Sequence, residues 1–326
     1  MINNEMGPHF ITSIQGIKIH FIHRNNNTKE RRPALLLVHG WPCSFLIFRK
    51  VLSKLQKHFD LIVPSIPGYG FSEPAKTLGM HCANVAKIFH ELIISRLGYE
   101  TYYAQGGDWG SIIVQCMARL FPECAAIHIT MPIPVSSNFD VSDLKKLKPF
   151  EIAAMKKTKQ FRDLGSGYQD IQKTRPQSLS FGLSDSPVGL ASWILEKFKE
   201  WSDCNGDLES VFTKDELITN IMLYWITNSI GSSIRLYYET LAVMPNTDKE
   251  TLKLMQTQVN IPTAIAMFPH EIYQLPRVLC KRTYVNLQRY VRYKSGGHFA
   301  PIECPDVFAR DIIDFFVEMD SMRSKL

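Results

Sequence analysis

The spacing of hydrophobic and polar positions changes character along this chain, and each change predicts a different kind of element. Residues 10–23 show two short runs around a turn at Gln15-Gly16. The second run alternates Ile17, Ile19 and Phe21, the two-residue period of a half-buried strand. Residues 25–32 are polar and read as a loop. Residues 34–38, Ala-Leu-Leu-Leu-Val, are continuously apolar, as expected of a parallel strand covered on both faces. A helix over 45–55 and a second buried strand over 61–63 follow. Next come a Gly/Pro-rich structured loop over 64–74, a helix over 83–97 and a β-prone run at 101–104. After a glycine-rich turn, Ile112, Ile113, Cys116, Met117 and Leu120 fall on one helical face, with Pro122 just beyond its end. Another strand is predicted over 126–130. Buried strands alternating with helices in this order indicate an α/β fold with a doubly wound, mostly parallel sheet.

The period changes after Met131-Pro132-Ile133-Pro134. From 135 to 241 the chain is helix-prone without a buried-strand run. Helices are predicted over 144–161, 190–201, 214–224 and 229–241, with loops over 163–177 and 203–207. Strand patterns return at 263–267 and 284–291, and a closing helix runs over 305–319, opened by Pro305-Asp306. The expected organisation is a core built from 8–134 and 242–326, with an all-helical cap inserted over 135–241.

Composition narrows this picture only slightly. The 326 residues are 45% hydrophobic and 21% charged, which suits a globular chain and excludes a disordered one. The net charge of +6 is mild. The local clusters Lys145, Lys146, Lys148 and Lys156, Lys157, Lys159 read as solvated helix faces rather than a nucleic-acid surface. Seven cysteines, an odd number with no CxxC pair, fit reduced thiols in an intracellular compartment and give no support to a zinc site. The first residues carry no secretory pattern, and no apolar run approaches the roughly 18–20 residues of a membrane-spanning helix. A glycosylation sequon at Asn26-Asn27-Thr28 falls in the polar loop.

The chemistry concentrates in the turn Gly106-Gly107-Asp108-Trp109-Gly110. Strand, sharp turn and helix, with glycines two before and two after the central residue, match the spacing of a nucleophile elbow. An aspartate there would attack a saturated carbon and become an alkyl ester. An ordinary glycine-rich turn with an exposed acid would look the same in this window. Such a nucleophile needs a base held by an acid, in the chain order nucleophile, acid, base. Glu271 follows the strand over 263–267, and His298 follows the strand over 284–291 behind Gly296-Gly297. In this reading His298 is the general base and Glu271 its orienting acid. His39-Gly40-Trp41-Pro42 follows the first buried strand. The backbone N–H groups of Trp41 and Trp109 are the expected oxyanion-hole donors, with a cis Trp41-Pro42 bond as a means of fixing that loop. This chemistry calls for no cofactor and no metal.

On these residues the chain resembles the epoxide hydrolases of the α/β-hydrolase fold, in the microsomal and juvenile-hormone branch. The carrying motifs are His39-Gly40-Trp41-Pro42, Gly106 to Ser111, Phe268-Pro269-His270-Glu271 and Gly296-Gly297-His298-Phe299-Ala300. Stretches at 166–172, 183–190, 217–225 and 232–238 resemble the family's cap, so the resemblance covers about 8–316. It implies conversion of an epoxide to a vicinal diol through an ester on Asp108. It also implies that two cap tyrosines, Tyr168 and Tyr237, hydrogen-bond the epoxide oxygen and donate a proton. The implied partners are an apolar epoxide and water, with xenobiotic, fatty-acid and terpenoid epoxides all open. Family members reside at the endoplasmic reticulum membrane through an N-terminal anchor helix and wrapping segment. This chain begins near its first strand, so a soluble or peripherally attached form is expected. Two other functions compete: a haloalkane or haloacid dehalogenase, in which a halide-binding pair would replace the cap tyrosines, and a catalytically idle ligand-binding relative.

Overall fold

The computed structural model describes residues 5–25, 32–135, 145 and 147–323. The sequon, the body of the loop expected over 25–32 and most of the start of the helix expected at 144 lie outside these residues. Eight strands form one sheet: β1 (His9–Ile14), β2 (Ile17–Arg24), β3 (Ala34–Val38), β4 (Asp60–Pro64), β5 (Tyr102–Gly106), β6 (Cys124–Ile129), β7 (Thr263–Met267) and β8 (Leu287–Arg292). Their order is β1-β2-β4-β3-β5-β6-β7-β8. The β1–β2 hairpin and the β2–β4 pair are antiparallel, and every later pair is parallel.

The apolar runs explain the order. All five residues of β3, β4, β5 and β7 are buried, so these strands occupy the interior of the sheet. Strand β1 exposes Phe10 and Ile11 at one edge, and β8 is half-buried along most of its length at the other. From β3 the chain steps to β4 on one side and then returns to β5 on the other. The loops after β3 and β5 therefore diverge at a switch point, where α/β sheets present their ligand crevice. In register, Val38 pairs with Gly106, which brings the loop at 39–42 beside the turn at 107–110.

Helices α1 (Cys82–Glu91) and α2 (Trp109–Leu120) pack on each other below this crevice. Between β6 and β7 lie α3 (Pro149–Gln160), α4 (Gly167–Thr174), α5 (Pro176–Asp185), α6 (Pro187–Trp201), α7 (Lys214–Ile226), α8 (Ile230–Tyr237) and α9 (Lys249–Met255). Helix α10 (Arg277–Thr283) links β7 to β8, and α11 (Pro305–Arg323) closes the chain against β6 and β7. Among the described residues no helix is long and apolar enough to cross a membrane.

Several expected boundaries shift for identifiable reasons. The loop expected over 163–177 is largely helical. Gly167 opens α4 and Pro176 opens α5, and a breaker at the first position of a helix starts it rather than ends it. The helix expected over 45–55 is a 3₁₀ turn, Phe45–Phe48, capped by the Ser44 hydroxyl, followed by one α-turn, Leu52–Leu55. The helix expected over 83–97 ends as α at Glu91 and widens into a π-turn, Leu92–Arg96. Strand β8 starts at Leu287, three residues later than expected, while Tyr284 makes an isolated bridge to Val259.

One buried histidine weakens this fold in acid. His20 Nδ1 lies 2.8 Å from Ser65 Oγ, and its Nε2 lies 2.8 Å from His9 Nδ1. Burial, followed by the neighbouring His9 and His39, lowers the His20 pKa to about 3. Unfolded, it would titrate near 6.5. Between those values the unfolded chain binds the extra proton, so stability is full above pH 6.5 and falls as the pH drops towards 3. Thermal melts between pH 7.5 and 5 should show the midpoint falling, and His20→Gln should flatten that slope. A slope unchanged in the variant would remove His20 from the account.

Candidate active site

Asp108 sits at the turn between β5 and α2 with φ 50° and ψ −128°, a left-handed conformation unusual for a non-glycine residue. Such a conformation costs about 1–3 kcal/mol and persists only where the surroundings enforce it. The enforcement is visible in the glycines. A Cβ on Gly106 would lie 2.2 Å from the Gly110 carbonyl oxygen, and a Cβ on Gly110 would lie 2.0 Å from that of Val38. Strand β5, helix α2 and strand β3 therefore approach more closely than any side chain permits. As the residue preceding α2, Asp108 also has its carboxylate at the positive end of a 12-residue helix.

The loop after β3 supplies a donor. The Trp41 N–H donates to Asp108 Oδ1 at 2.8 Å, and the Trp41-Pro42 bond is cis. Trp109 is the first residue of α2, where backbone N–H groups have no partner within the helix. His39 pins the loop. Its Nε2 accepts from the Ile66 N–H at 3.1 Å, so the ring proton resides on Nδ1, 3.2 Å from the Gly40 carbonyl. Burial lowers its pKa to about 4 and keeps it neutral. Gly40 must stay bare, because a Cβ there would lie 2.2 Å from Asp108 Oδ1. Gly40→Ala should therefore displace the carboxylate and reduce kcat by at least about 100-fold, the scale of an ångström-sized misplacement. Its thermal midpoint should change much less. Retention of wild-type kcat would show that Asp108 need not stand where it does.

The other two predicted residues arrive from the neighbouring strands. Strands β7 and β8 are adjacent, and the loops after them are joined by the His270 N–H donating to the Gly296 carbonyl at 3.2 Å. Glu271 Oε1 lies 2.8 Å from His298 Nδ1 and also accepts from the Ile272 N–H at 2.7 Å. His298 Nε2 lies 3.5 Å from Asp108 Oδ2. Burial alone would lower the imidazole pKa. Glu271 and Asp108 outweigh it and push the value up to about 10, so this ring carries a proton while both carboxylates are charged.

Tyr168 is the second residue of α4 and Tyr237 ends α8, and both are buried. Trp41 stacks on Tyr168 at 5.3 Å and 10°, and Tyr237 meets the Trp109 ring edge-on at 4.6 Å. Among the described residues the Tyr237 hydroxyl makes no hydrogen bond of ordinary geometry, although it lies near the Tyr168 hydroxyl and the Trp109 side chain. Burial first, then Asp108 for Tyr168, and Tyr168 with Asp108 for Tyr237, hold both phenols well above their ordinary pKa. They are neutral donors. Asp108, Tyr168 and Tyr237 line one cavity of about 260 Å³, whose other walls are mostly apolar. All seven predicted residues thus gather at the carboxyl end of the sheet, with His298 behind Asp108, outside the wall of that cavity.

Sequence reasoning missed the supports. Glu303 Oε1 accepts from the Phe299 N–H and its Oε2 from the Asp203 N–H, both at 2.8 Å. Asp203 Oδ2 in turn accepts from the Gly296 N–H at 2.8 Å. The His298 N–H donates to the Trp201 carbonyl at 2.9 Å, and the Trp201 ring stands edge-on to the imidazole at 5.2 Å. These contacts tie the His298 loop to the end of α6. No spacing rule links residues 100 positions apart, although the acid after Phe299-Ala300-Pro301 would have been the place to look. Among the described residues no group of His, Cys, Asp and Glu side chains is arranged to hold a metal ion.

Known proteins resemble this chain in sequence family and in fold. A family described as the alpha/beta hydrolase fold matches residues 33–174, and one described as the epoxide hydrolase N terminus matches residues 2–48. Epoxide hydrolase 1 of Sus scrofa is 40% identical over 94% of this chain and 74% of its own length. The crystal structure of juvenile hormone epoxide hydrolase from the silkworm Bombyx mori superposes with a TM-score of 0.85 at 35% identity, covering 97% of this chain and 80% of that one. Aspergillus niger epoxide hydrolase superposes at 0.82 with 28% identity, covering 96% and 78%. With an elbow aspartate on a mostly parallel eight-stranded sheet and relatives at this level of identity, the chain belongs to the epoxide hydrolase family of the α/β-hydrolase fold.

Proposed function

We propose that this epoxide hydrolase works through a covalent ester on Asp108. The observation that carries the reading is a cavity lined by Asp108 and by two buried, neutral phenols, with His298 approaching the same carboxylate from outside it. Asp108 Oδ2 attacks one epoxide carbon, and the C–O bond on that carbon breaks. The released electron pair goes to the epoxide oxygen, which takes hydrogen bonds from Tyr168 and Tyr237 and a proton from one of them. An alkoxide is a poor leaving group, and a donor close by lowers that barrier.

In the second step His298 takes a proton from water, and the hydroxide adds to Asp108 Cγ. The negative charge develops on Oδ1, the oxygen already held by the Trp41 N–H, with the Trp109 N–H as second donor. Collapse breaks the bond between Cγ and the alkyl oxygen. His298 returns its proton to the diol, and the proton left on the new carboxyl restores the phenol. Once the imidazole is neutral, Glu271 holds the remaining ring proton on Nδ1 and leaves Nε2 free to accept. The stretch 135–241, helical over most of its described residues, serves as the cap over a core formed by 8–134 and 242–326. The mostly apolar cavity wall favours an apolar epoxide.

A panel of aryl, fatty-acid and terpenoid epoxides scored for diol, beside haloalkanes scored for halide, tests this reading. Diol without halide is the expected result. Tyr168→Phe and Tyr237→Phe should each slow ester formation by roughly 10²-fold, within the usual range for loss of a proton donor. Halide release at a rate matching diol formation, or wild-type ester formation in both tyrosine variants, would overturn it.

A further inference from the structure

Lys197, a charged residue that the two chemical steps do not use, is buried near this site without lining the cavity. Lys197 lies on α6, its side chain 4% exposed, and its Nζ pairs with the half-exposed carboxylate of its neighbour Glu196. The ammonium stands over two rings, 4.9 Å from the centre of Tyr168 and 5.6 Å from that of Trp193. Trp193 and Lys197 are four residues apart on α6, and Tyr168 and Gln172 are four apart on α4, so each pair shares one helical face. The Trp193 Nε1–H donates to Gln172 Oε1 at 3.0 Å, which bolts the two faces together.

A lysine is rarely buried unless something holds its charge. A salt bridge to a half-exposed glutamate does not require the ammonium to lie over Tyr168, since the same pair could form at the surface. The geometry points to a task for it. Asp108 and Glu271 act electrostatically on the Tyr168 phenol and oppose any loss of its proton. A cation over the ring acts in the opposite sense, drawing charge from the oxygen as that proton moves away. It also fixes the ring in place.

We propose that Lys197 is a positioning residue for the reaction, holding the Tyr168 ring and strengthening its hydroxyl as donor to the opening epoxide oxygen through the cation–ring contact. This rests on the assignment of Tyr168 as an oxygen-side donor. Lys197 acts in ester formation only, because ester hydrolysis uses His298 and Glu271.

Stopped-flow fluorescence on the full chain, with styrene oxide as probe, separates the two steps; Trp41 and Trp109 beside the tyrosines supply the signal. Lys197→Met, which keeps the stem and removes the charge, should slow ester formation by roughly five- to twentyfold, the scale of a desolvated cation–ring contact. Ester hydrolysis should be unchanged. Lys197→Arg should recover most of the rate. In a Tyr168→Phe background, Lys197→Met should add less than about twofold, since the hydroxyl it assists is gone. If Lys197→Met slows Tyr168→Phe as much as it slows the wild type, or slows both chemical steps alike, the role of Lys197 falls while that of Tyr168 stands. If Tyr168→Phe forms ester at the wild-type rate, the assignment of Tyr168 falls and this proposal with it. Should Lys197→Met fail to fold, Lys197→Gln against Lys197→Arg gives the same contrast.

Discussion

Asp108→Ala is expected to abolish diol formation, with kcat falling by at least about 10⁴-fold, the scale seen when a covalent nucleophile is removed. The expectation follows from position and not only from residue type. Asp108 is a carboxylate held in a strained left-handed turn, at a helix N-terminus, with one oxygen tied to the Trp41 N–H. Alanine removes the nucleophile and also relieves the electrostatic cost of a partly desolvated charge. The fold should therefore survive, and a thermal midpoint near that of the wild type should accompany the loss of activity. Survival of activity within about tenfold would mean that water attacks the epoxide directly, with the tyrosines alone activating it.

His298→Gln should stop the cycle halfway. Ester formation needs Asp108 and the two phenols but no base, so the variant should react once and then hold its product. Intact-mass spectra should show the protein heavier by the mass of one epoxide, at close to one per chain, while steady-state turnover falls by about 10³-fold or more. The electrostatics of the wild type explain why the base is needed only then. His298 titrates near 10 while Asp108 and Glu271 are both charged, so in the resting enzyme it is already protonated and cannot accept a proton. Alkylation turns Asp108 into a neutral ester and removes one of the two charges that raised this pKa. The imidazole pKa then falls, the ring gives its resting proton to solvent, and the neutral base becomes available in the step that requires it; the proton is regained from solvent once the Asp108 carboxylate is restored. Ester formation should accordingly vary little from pH 6 to 8, whereas hydrolysis of the ester should rise with pH. Equal pH dependence of the two rates would contradict this coupling.

The core was legible in the sequence because its strands are buried on both faces and therefore read as unbroken apolar runs. Residues 34–38 and 263–267 are observed as β3 and β7 at those limits. The elbow was legible for a related reason, since close approach of three backbones forces glycine at Gly106 and Gly110. The helical stretch between β6 and β7 was harder. Gly167 and Pro176 look like loop residues until a structure places each at the start of a helix. The tyrosines could be singled out only through resemblance, because a buried tyrosine on a helix carries no local signature of its task. Supports such as Glu303, Asp203 and Lys197 left no trace in the pattern. Glu303 and Asp203 meet partners about 100 positions away, Lys197 meets a ring on another helix, and a single acid or lysine reads as surface until its burial is known.

If the ester on Asp108 forms, the new diol oxygen comes first from Asp108 and only later from water. One turnover in ¹⁸O-labelled water, with enzyme in excess over epoxide, tests it directly. The expected result is a diol free of label after that single turnover, with one ¹⁸O in the peptide that carries Asp108. Label in the diol from the first turnover, with an unlabelled Asp108 peptide, would contradict it.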